Sequence, residues 1–262
     1  MTDRVPLAAT VLLLRDSAVG VEVLMITRHA DTAFAGGALV FPGGRLDAAD
    51  GTPDFLDRCC KMADAMPDQM ALRVCAIRET FEEVGILLAR RRGHDNLLTG
   101  DEVEALDLRL TAELGHRPDF ITLVTIGDLE LATDLLVPFA HWITPKIRPR
   151  RYDTYFFLAP GPAGQAARHD GHEAVASVWV KPGEAAADGL AKRVKMIFAT
   201  RFNLLKLARS GDRQAAFAAA RTGTIVTVCP EYHETSEGLM WRIPVEAGYD
   251  DSQILVANET VA

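Results

Sequence analysis

The sequence has few cysteines and no long apolar run. Its four cysteines, in 262 residues, have neither the spacing of a zinc site nor a histidine cluster beside them, so we expect reduced thiols in a cytoplasmic protein. The apolar run from Leu7 to Leu14 is too short to cross a bilayer, so we expect a first β-strand there and no membrane partner. The cysteines are Cys59, Cys60, Cys75 and Cys229.

Positive charge is also scarce. The 36 acidic residues outnumber the 28 lysines and arginines and leave a formal net charge of −8. Nucleic-acid binding needs a broad basic surface, so we expect no nucleic-acid partner. An anionic small molecule is compatible with this balance, since a bound metal ion can provide local positive charge. Hydrophobic residues make up 48% of the chain, which at this length is enough for a folded core.

The order of the apolar patterns predicts a single mixed α/β domain over residues 1–262. β-Branched or apolar runs predict strands at 5–15, 21–28, 38–41, 86–89, 138–144, 152–159 and 174–180. Helical spacing predicts helices at 68–84, 102–114, 182–190, 200–209 and 212–221, with short helical pieces within 118–135. We expect an insertion at 47–68 and a mainly helical extension at 182–262, in which 224–229 and 239–244 form a closing hairpin or a tail strand.

The C-terminal helical pair leaves the oligomeric state open. Phe202, Leu205 and Phe217 are large apolar residues on these two helices. They could belong to the core or form the contacts of a homodimer.

The helix at 68–84 carries the clearest chemical pattern. Apolar residues recur there at spacings of three and four and form one stripe, made up of Met70, Val74, Ile77, Phe81 and Val84. Glu79, Glu82 and Glu83 lie opposite, within an arc of about 100°. Like charges at this spacing repel, so a solvated acidic face is one interpretation and a bound divalent cation is the other. Mg²⁺ or Mn²⁺ prefers such oxygen ligands, and Arg78 could orient one carboxylate.

Two segments of the sequence resemble the Nudix hydrolase superfamily. Residues 78–86, RETFEEVGI, match the end of the family's signature helix, and Phe41-Pro42-Gly43-Gly44 matches the turn before it. The resemblance implies an α/β/α sandwich with a mixed sheet, and metal-dependent hydrolysis of a diphosphate linkage in a nucleoside diphosphate derivative. Glu82 and Glu83 would be metal ligands, Glu79 a further ligand or the base, and the carbonyl of Gly44 would complete the metal site.

The signature departs from the family spacing in one respect. About 20 residues are inserted between Gly44 and Arg78, and Met70 stands where the family has a glutamate. Asp47, Asp50 or Asp68 could replace that glutamate. A similar insertion occurs in the peroxisomal acyl-CoA diphosphatase group and its bacterial relatives, which the chain resembles from about residue 5 to 210.

The resemblance therefore points to coenzyme A or acyl-CoA as the substrate. Arg28 and Gly37 match the group's coenzyme A motif, whereas His29 stands at its small position and Ala33 replaces its second arginine. Two alternatives stay open. One is a pyrophosphatase for ADP-ribose, NADH or dinucleoside polyphosphates, and the other is a catalytically silent nucleotide-binding sensor.

Further residues are candidates for substrate binding. Arg28, Gly37, Gly43 and Arg45 border the glycine turn, where the backbone could approach phosphate closely. Arg151, with Arg148 and Arg150 before it, precedes a strand and could hold a phosphate or be only solvated. Glu173 could be an extra metal ligand or base. We expect His141 to be a hydrogen-bonded structural residue, and Trp142, Tyr152 and Tyr155 to pack in the core or stack on a base.

Overall fold

The computed structural model describes residues 5–32, 35–60, 67–168, 171, 173–236, 238–250 and 252–255. Ala33 of the expected coenzyme A motif and residues 61–66 of the expected insertion lie outside these ranges. Among the residues described, no helix has the length and apolar character needed to cross a bilayer.

Helices and strands alternate along much of the described chain. The helices are α1 (Pro53–Leu56), α2 (Pro67–Val84), α3 (Gly100–Leu114), α4 (Phe120–Ile126), α5 (Pro182–Leu190), α6 (Phe198–Leu207) and α7 (Arg213–Thr222). The strands are β1 (Leu7–Ser17), β2 (Gly20–Arg28), β3 (Leu39–Val40), β4 (Gly43–Arg45), β5 (Ala89–Arg91), β6 (Leu129–Leu131), β7 (Val137–Ile143), β8 (Asp153–Pro160), β9 (Ala174–Val180), β10 (Thr227–Val228), β11 (Glu231–Thr235), β12 (Gly238–Arg242) and β13 (Gln253–Leu255). Short 3-10 turns occur at Ala48–Gly51, Thr133–Leu135 and Val245–Ala247.

Strand β1 is at the centre of a mixed eight-stranded sheet. It runs parallel to β8 and antiparallel to β2 and β4. The order across the sheet is β10-β7-β8-β1-β2-β3, with β4 also on β1 and β9 also on β2. The apolar run that predicts a strand near the N-terminus is therefore the central strand, which explains why it is apolar at successive positions.

Both faces of the sheet are covered by helices. Because side chains alternate along a strand, Val11 and Leu13 face the core that contains α2, whereas Leu12 faces the core that contains α6 and α7. Phe202 and Phe217 are buried in this second core, so they are core residues and not free contacts for a dimer. The α/β fold with a mixed sheet between helices is confirmed.

Helix α2 is buried on more than the predicted stripe. Ala71, Leu72, Cys75 and Ala76 are buried together with most of the apolar stripe, because β1 lies on one side of α2 and the insertion lies on another. Even Arg73 is buried, where its Nη1 donates to the carbonyls of Thr133 and Leu136. Burial also reaches the acidic side of the helix, where Glu83 is only 2% exposed, so this side is not a fully solvated acidic face.

Four predictions differ from the structure. Residues 86–88 are not part of a strand, because the Gln165 side chain accepts from the Leu87 N–H and donates to its carbonyl in place of a neighbouring strand. The segment 118–135 contains β6 as well as helix. The extension from residue 182 is helical only to Thr222, and its later described part consists of short strands. Segments 224–229 and 239–244 do not pair, since β10 joins β7 and β12 lies between β11 and β13.

Candidate functional site

Two glycines bring the backbone of β4 against α2 and β1. A Cβ at Gly43, whose φ is 153°, would lie 2.5 Å from the Ala9 carbonyl oxygen. A Cβ at Gly44 would lie 2.3 Å from Oε2 of Glu79. The β1 backbone therefore excludes a side chain at Gly43, whereas a side chain at Gly44 would require the Glu79 carboxylate to move.

The three glutamates of α2 have distinct surroundings. Glu83 is only 2% exposed and accepts from the Gly43 N–H at 2.8 Å and from Nη1 of Arg28 at 3.4 Å. Glu79 is 13% exposed, and Glu82 is 47% exposed. Both accept from Nη1 of Arg78, at 2.8 and 2.9 Å. The carboxylates predicted from the helical spacing are thus gathered beside the glycine turn.

Burial makes this cluster hard to charge. Burial raises the pKa of Glu79 to about 7, partly offset by Arg78, with Glu82 and Glu173 raising it further. Burial also raises the pKa of Glu83 to about 8. The Gly43 N–H and Arg28 lower this pKa, whereas Glu79 and Glu173 raise it further. Burial is also the main cause of the raised pKa of Glu82. A cation at this place would remove both the repulsion and much of the cost of burial.

Arg78 is held by an aspartate from the insertion. Asp50 is fully buried and accepts from Nε and Nη2 of Arg78 at 2.8 and 2.9 Å. The carbonyl of Arg45 accepts from the same Nη2 at 3.1 Å. Of the three aspartates named as replacements for the family's glutamate, Asp50 is the one that contacts Arg78. The sequence signal that could have found it is the capping box that Asp47 and Asp50 form around this turn.

The glycine turn borders a cavity of about 580 Å³. The residues at this end of the cavity are Arg28, Gly43, Gly44, Arg45, Glu79 and Glu173. Nε of Arg28 is buried and has no hydrogen-bond partner in the described part of the chain. Gly37, whose N–H donates to the Arg28 carbonyl, is not among the lining residues in the described ranges. The structure thus brings Glu173, Arg28 and Arg45 to the same end of the cavity as the carboxylates. Gly37 contacts the backbone of Arg28 and does not border the cavity itself.

Of the three arginines before β8, Arg148 and Arg150 line the cavity. Nε of Arg151 instead donates to the Thr144 carbonyl at 2.9 Å and ties the two ends of the loop together. Arg151, the candidate favoured from the sequence, is not among the described lining residues. The side chain next to the strand is used to close the loop, and that leaves the two preceding arginines at the cavity.

Some of the aromatic candidates hold the sheet together, and others line the cavity. Nδ1 of His141 lies 2.8 Å from the Thr227 hydroxyl and its Nε2 contacts the Asp153 carboxylate, so this residue joins β10 to the sheet as expected. Tyr155 stacks on the His141 ring. Trp142 and Tyr152 line the cavity, together with Trp241, which no motif in the sequence marks. Trp241 lies in the segment 239–244, for which a strand is expected, and nothing in the sequence indicates that this strand reaches the cavity.

The oxygen donors suit a hard divalent cation, but their arrangement needs adjustment. No three His, Cys, Asp or Glu side chains of the described ranges are grouped so that they could hold a metal ion. The guanidinium of Arg78 bridges Glu79 and Glu82 instead. Carboxylates and the Gly44 carbonyl are the ligand types that Mg²⁺ and Mn²⁺ prefer, and rotation of the glutamate side chains would make them available.

Similarity to known proteins is consistent with this site. Residues 52–209 match the family described as the NUDT19 Nudix domain. Acyl-coenzyme A diphosphatase NUDT19 of Xenopus laevis is 29% identical over 207 residues, which cover 64% of this chain and 54% of that protein. The protein of that name from Gallus gallus is 30% identical over 211 residues, covering 63% and 55%. The chain thus spans about half the length of these curated relatives.

A solved structure extends the similarity to the fold. The crystal structure of a Nudix hydrolase from Alicyclobacillus acidocaldarius matches with a TM-score of 0.69 at 27% identity, and the match covers 86% of this chain and 100% of that one. The region that matches the family model contains α2 with its three glutamates, and it ends before β10.

Proposed function

The chain belongs to the NUDT19 Nudix domain family, and from this membership we propose that it is a metal-dependent hydrolase of the diphosphate linkage in a nucleoside diphosphate derivative, with coenzyme A or an acyl-CoA as the favoured substrate. The relatives named acyl-coenzyme A diphosphatase support this substrate. The observation that carries the reaction is the group of α2 carboxylates, of which Glu83 is buried, beside Gly43 and Gly44 at one end of a cavity.

Glu79, Glu82 and Glu83, with the carbonyl of Gly44, would hold the divalent metal ion, for which we propose Mg²⁺ or Mn²⁺. Such an ion neutralises developing charge on diphosphate oxygens and lowers the pKa of a bound water.

The chain's own residues would orient the metal ligands and deprotonate the attacking water. Asp50 holds Arg78, and Arg78 in turn holds Glu79 and Glu82 in place. The Gly43 N–H fixes Glu83. Glu173 borders the cavity and is close enough to raise the pKa of all three α2 glutamates, which supports a role as an additional base or ligand. Arg28 and Arg45 border the same end, where their charges would bind phosphate oxygens.

One sequence feature favours a second substrate class. Ala33 occupies the position where the coenzyme A motif of the group has its second arginine. A pyrophosphatase for ADP-ribose, NADH or dinucleoside polyphosphates does not need that arginine. We keep this class as the alternative.

A product analysis separates the two classes. The protein is incubated with Mg²⁺ or Mn²⁺ and, in separate reactions, coenzyme A, acetyl-CoA, ADP-ribose, NADH and diadenosine polyphosphates, and the products are identified by mass. We expect adenosine 3′,5′-bisphosphate and a phosphopantetheine from the first two substrates, and loss of both products in a chelator. AMP from ADP-ribose or NADH, without cleavage of coenzyme A, would instead support the alternative. No cleavage of any substrate would contradict both.

A further inference from the structure

The cavity extends well beyond the carboxylates. Trp142 is paired with Thr154 across β7 and β8, Thr154 with Ala8 on β1, and Ala8 with Arg45 on β4. Three strand spacings, roughly 14 Å, therefore separate Trp142 from Arg45, although both line the same cavity. The cavity is thus shaped for an extended ligand and not only for a metal ion and a diphosphate.

Aromatic rings from three distant segments form the far end, which we call the aromatic recess and define as Trp142, Phe198 and Trp241. The ring centroids of Trp142 and Phe198 are 5.7 Å apart, and those of Phe198 and Trp241 are 6.1 Å apart. The Tyr232 ring stacks on the Trp241 ring, with 3.7 Å between the ring centroids. Rings at these distances form a surface on which a flat group can stack.

The two indoles of the recess differ in hydrogen bonding. Nε1 of Trp142 donates to the Tyr249 hydroxyl at 2.9 Å, and that hydroxyl donates to Asn203 at 2.8 Å. Nε1 of Trp241 is buried and has no acceptor within the described ranges, in a residue that is only 2% exposed. Buried donors are nearly always paired, so this N–H indicates an acceptor that a ligand supplies.

Two cations lie beside the recess. Arg148 and Arg150 line the cavity, and the Arg148 guanidinium lies 5.7 Å from the Trp241 ring. Neither arginine forms an ion pair with a carboxylate of the described chain, although the sequence is acidic overall. Two guanidinium groups without a counter-charge from the described residues, next to stacking rings, suit a phosphate monoester.

Resting on the proposed hydrolase function, we propose that the aromatic recess, Arg148 and Arg150 bind a phosphorylated nucleoside. The base packs against the recess, and an acceptor on its edge accepts from Nε1 of Trp241. Arg148 and Arg150 bind a phosphate on the ribose that is not part of the cleaved linkage. The site would therefore select nucleotides that carry a second, remote phosphate, and it lies partly beyond the region that matches the family.

The test measures binding without hydrolysis. Adenosine 3′,5′-bisphosphate and 5′-AMP are titrated into the metal-free protein in a calorimeter. We expect the bisphosphate to bind about tenfold more tightly or better, because only it places a phosphate at the arginines. In Arg148→Ala/Arg150→Ala this preference should fall below about twofold. Trp241→Phe keeps a ring but loses the N–H, and it should weaken both nucleotides by about fivefold.

A charge-matched control is Arg91→Ala/Arg109→Ala, which removes two exposed arginines that do not line the cavity. This variant should keep the preference. Equal binding of the two nucleotides to the unmodified protein, or a preference that survives loss of Arg148 and Arg150, would overturn the proposal. The preference can hold while no diphosphate is cleaved, and that result would reject the proposed function alone. Cleavage without the preference would reject the recess assignment alone.

Discussion

The two ends of the cavity are built in different ways. The carboxylate end comes mainly from residues 43–83, where a glycine turn, a short insertion and one helix meet, and Arg28 and Glu173 complete it. The aromatic recess comes from β7, α6 and β12, which are spread over about 100 positions of the chain. The first end contains acids whose pKa is raised by burial and by mutual repulsion. The second contains aromatic rings, one indole N–H without an acceptor and two arginines without an ion-pair partner among the described residues. Most of the carboxylate end is therefore encoded locally, whereas the aromatic recess depends on long-range assembly.

The largest effect should come from the α2 glutamates. Glu83→Gln or Glu82→Gln should lower kcat by about 10³-fold, because loss of a metal ligand removes several kcal/mol of charge stabilisation. Circular dichroism should show that the fold is retained. Trp241→Phe should instead act more on KM than on kcat, and this contrast would sharpen the difference between the two ends.

Glu113→Gln is the matched control, since this exposed glutamate pairs with Arg109 on the surface of α3. It should retain the activity of the unmodified protein. Full activity in both Glu82→Gln and Glu83→Gln would remove the carboxylate end from the reaction.

The next effect should come from the glycine against Glu79. Gly44→Ala places a Cβ 2.3 Å from Oε2 of Glu79, so the carboxylate must move, and we expect kcat to fall by about 10²-fold. Gly211→Ala has open space around its new Cβ and serves as the control, with kcat within about twofold. Steady-state kinetics on the same substrate provide the comparison. Equal activity of the two variants would show that the position of Glu79 is not critical.

The carboxylate end could be predicted from the sequence because most of its residues belong to one helix and to the turn before it. Helical spacing places Glu79, Glu82 and Glu83 on one arc, and the two glycines precede the helix in a recognisable turn. Asp50 could be named only as one of three aspartates, because the path of an insertion determines which of them meets Arg78. The predicted helices at 182–190, 200–209 and 212–221 were close to α5, α6 and α7 for the same local reason.

The aromatic recess could not be predicted in this way. Trp241 reaches the cavity through β12. A strand is expected at 239–244, but its pairing with β11 and β13 has no local signature in the sequence. The choice among Arg148, Arg150 and Arg151 depends on which side chain closes the loop at Thr144. Such contacts are set by tertiary packing, which overrides residue-by-residue preference.

The insertion links the carboxylate end to stability. Asp50→Asn should lower the free energy of unfolding by about 2–3 kcal/mol, somewhat less than the roughly 3–5 kcal/mol for breaking a buried pair, because Arg78 keeps Glu79 and Glu82. Urea denaturation provides the measurement. Asp47→Asn, at an exposed cap, should cost less than about 1 kcal/mol. Similar losses in the two variants would show that the Asp50–Arg78 pair adds little to folding.

The smallest predicted effect is the pH dependence of stability, and it again distinguishes the two ends. Between pH 4.5 and about 8, folded Glu79 and Glu83 hold protons that the unfolded chain has already released, because their pKa values are raised from 4.5 to about 7 and about 8. The folded state binds more protons in this window, so these two groups make the free energy of unfolding fall as pH rises. Glu79→Gln removes one of them, and we expect its Tm in a chelator to exceed that of the unmodified protein at pH 8 by about 3 °C or more, with little difference at pH 5.

Trp241→Phe should leave the pH dependence as it is, since none of the carboxylates with a raised pKa borders that ring. A Tm difference between Glu79→Gln and the unmodified protein that is constant from pH 5 to pH 8 would mean that Glu79 is not the group whose proton is retained.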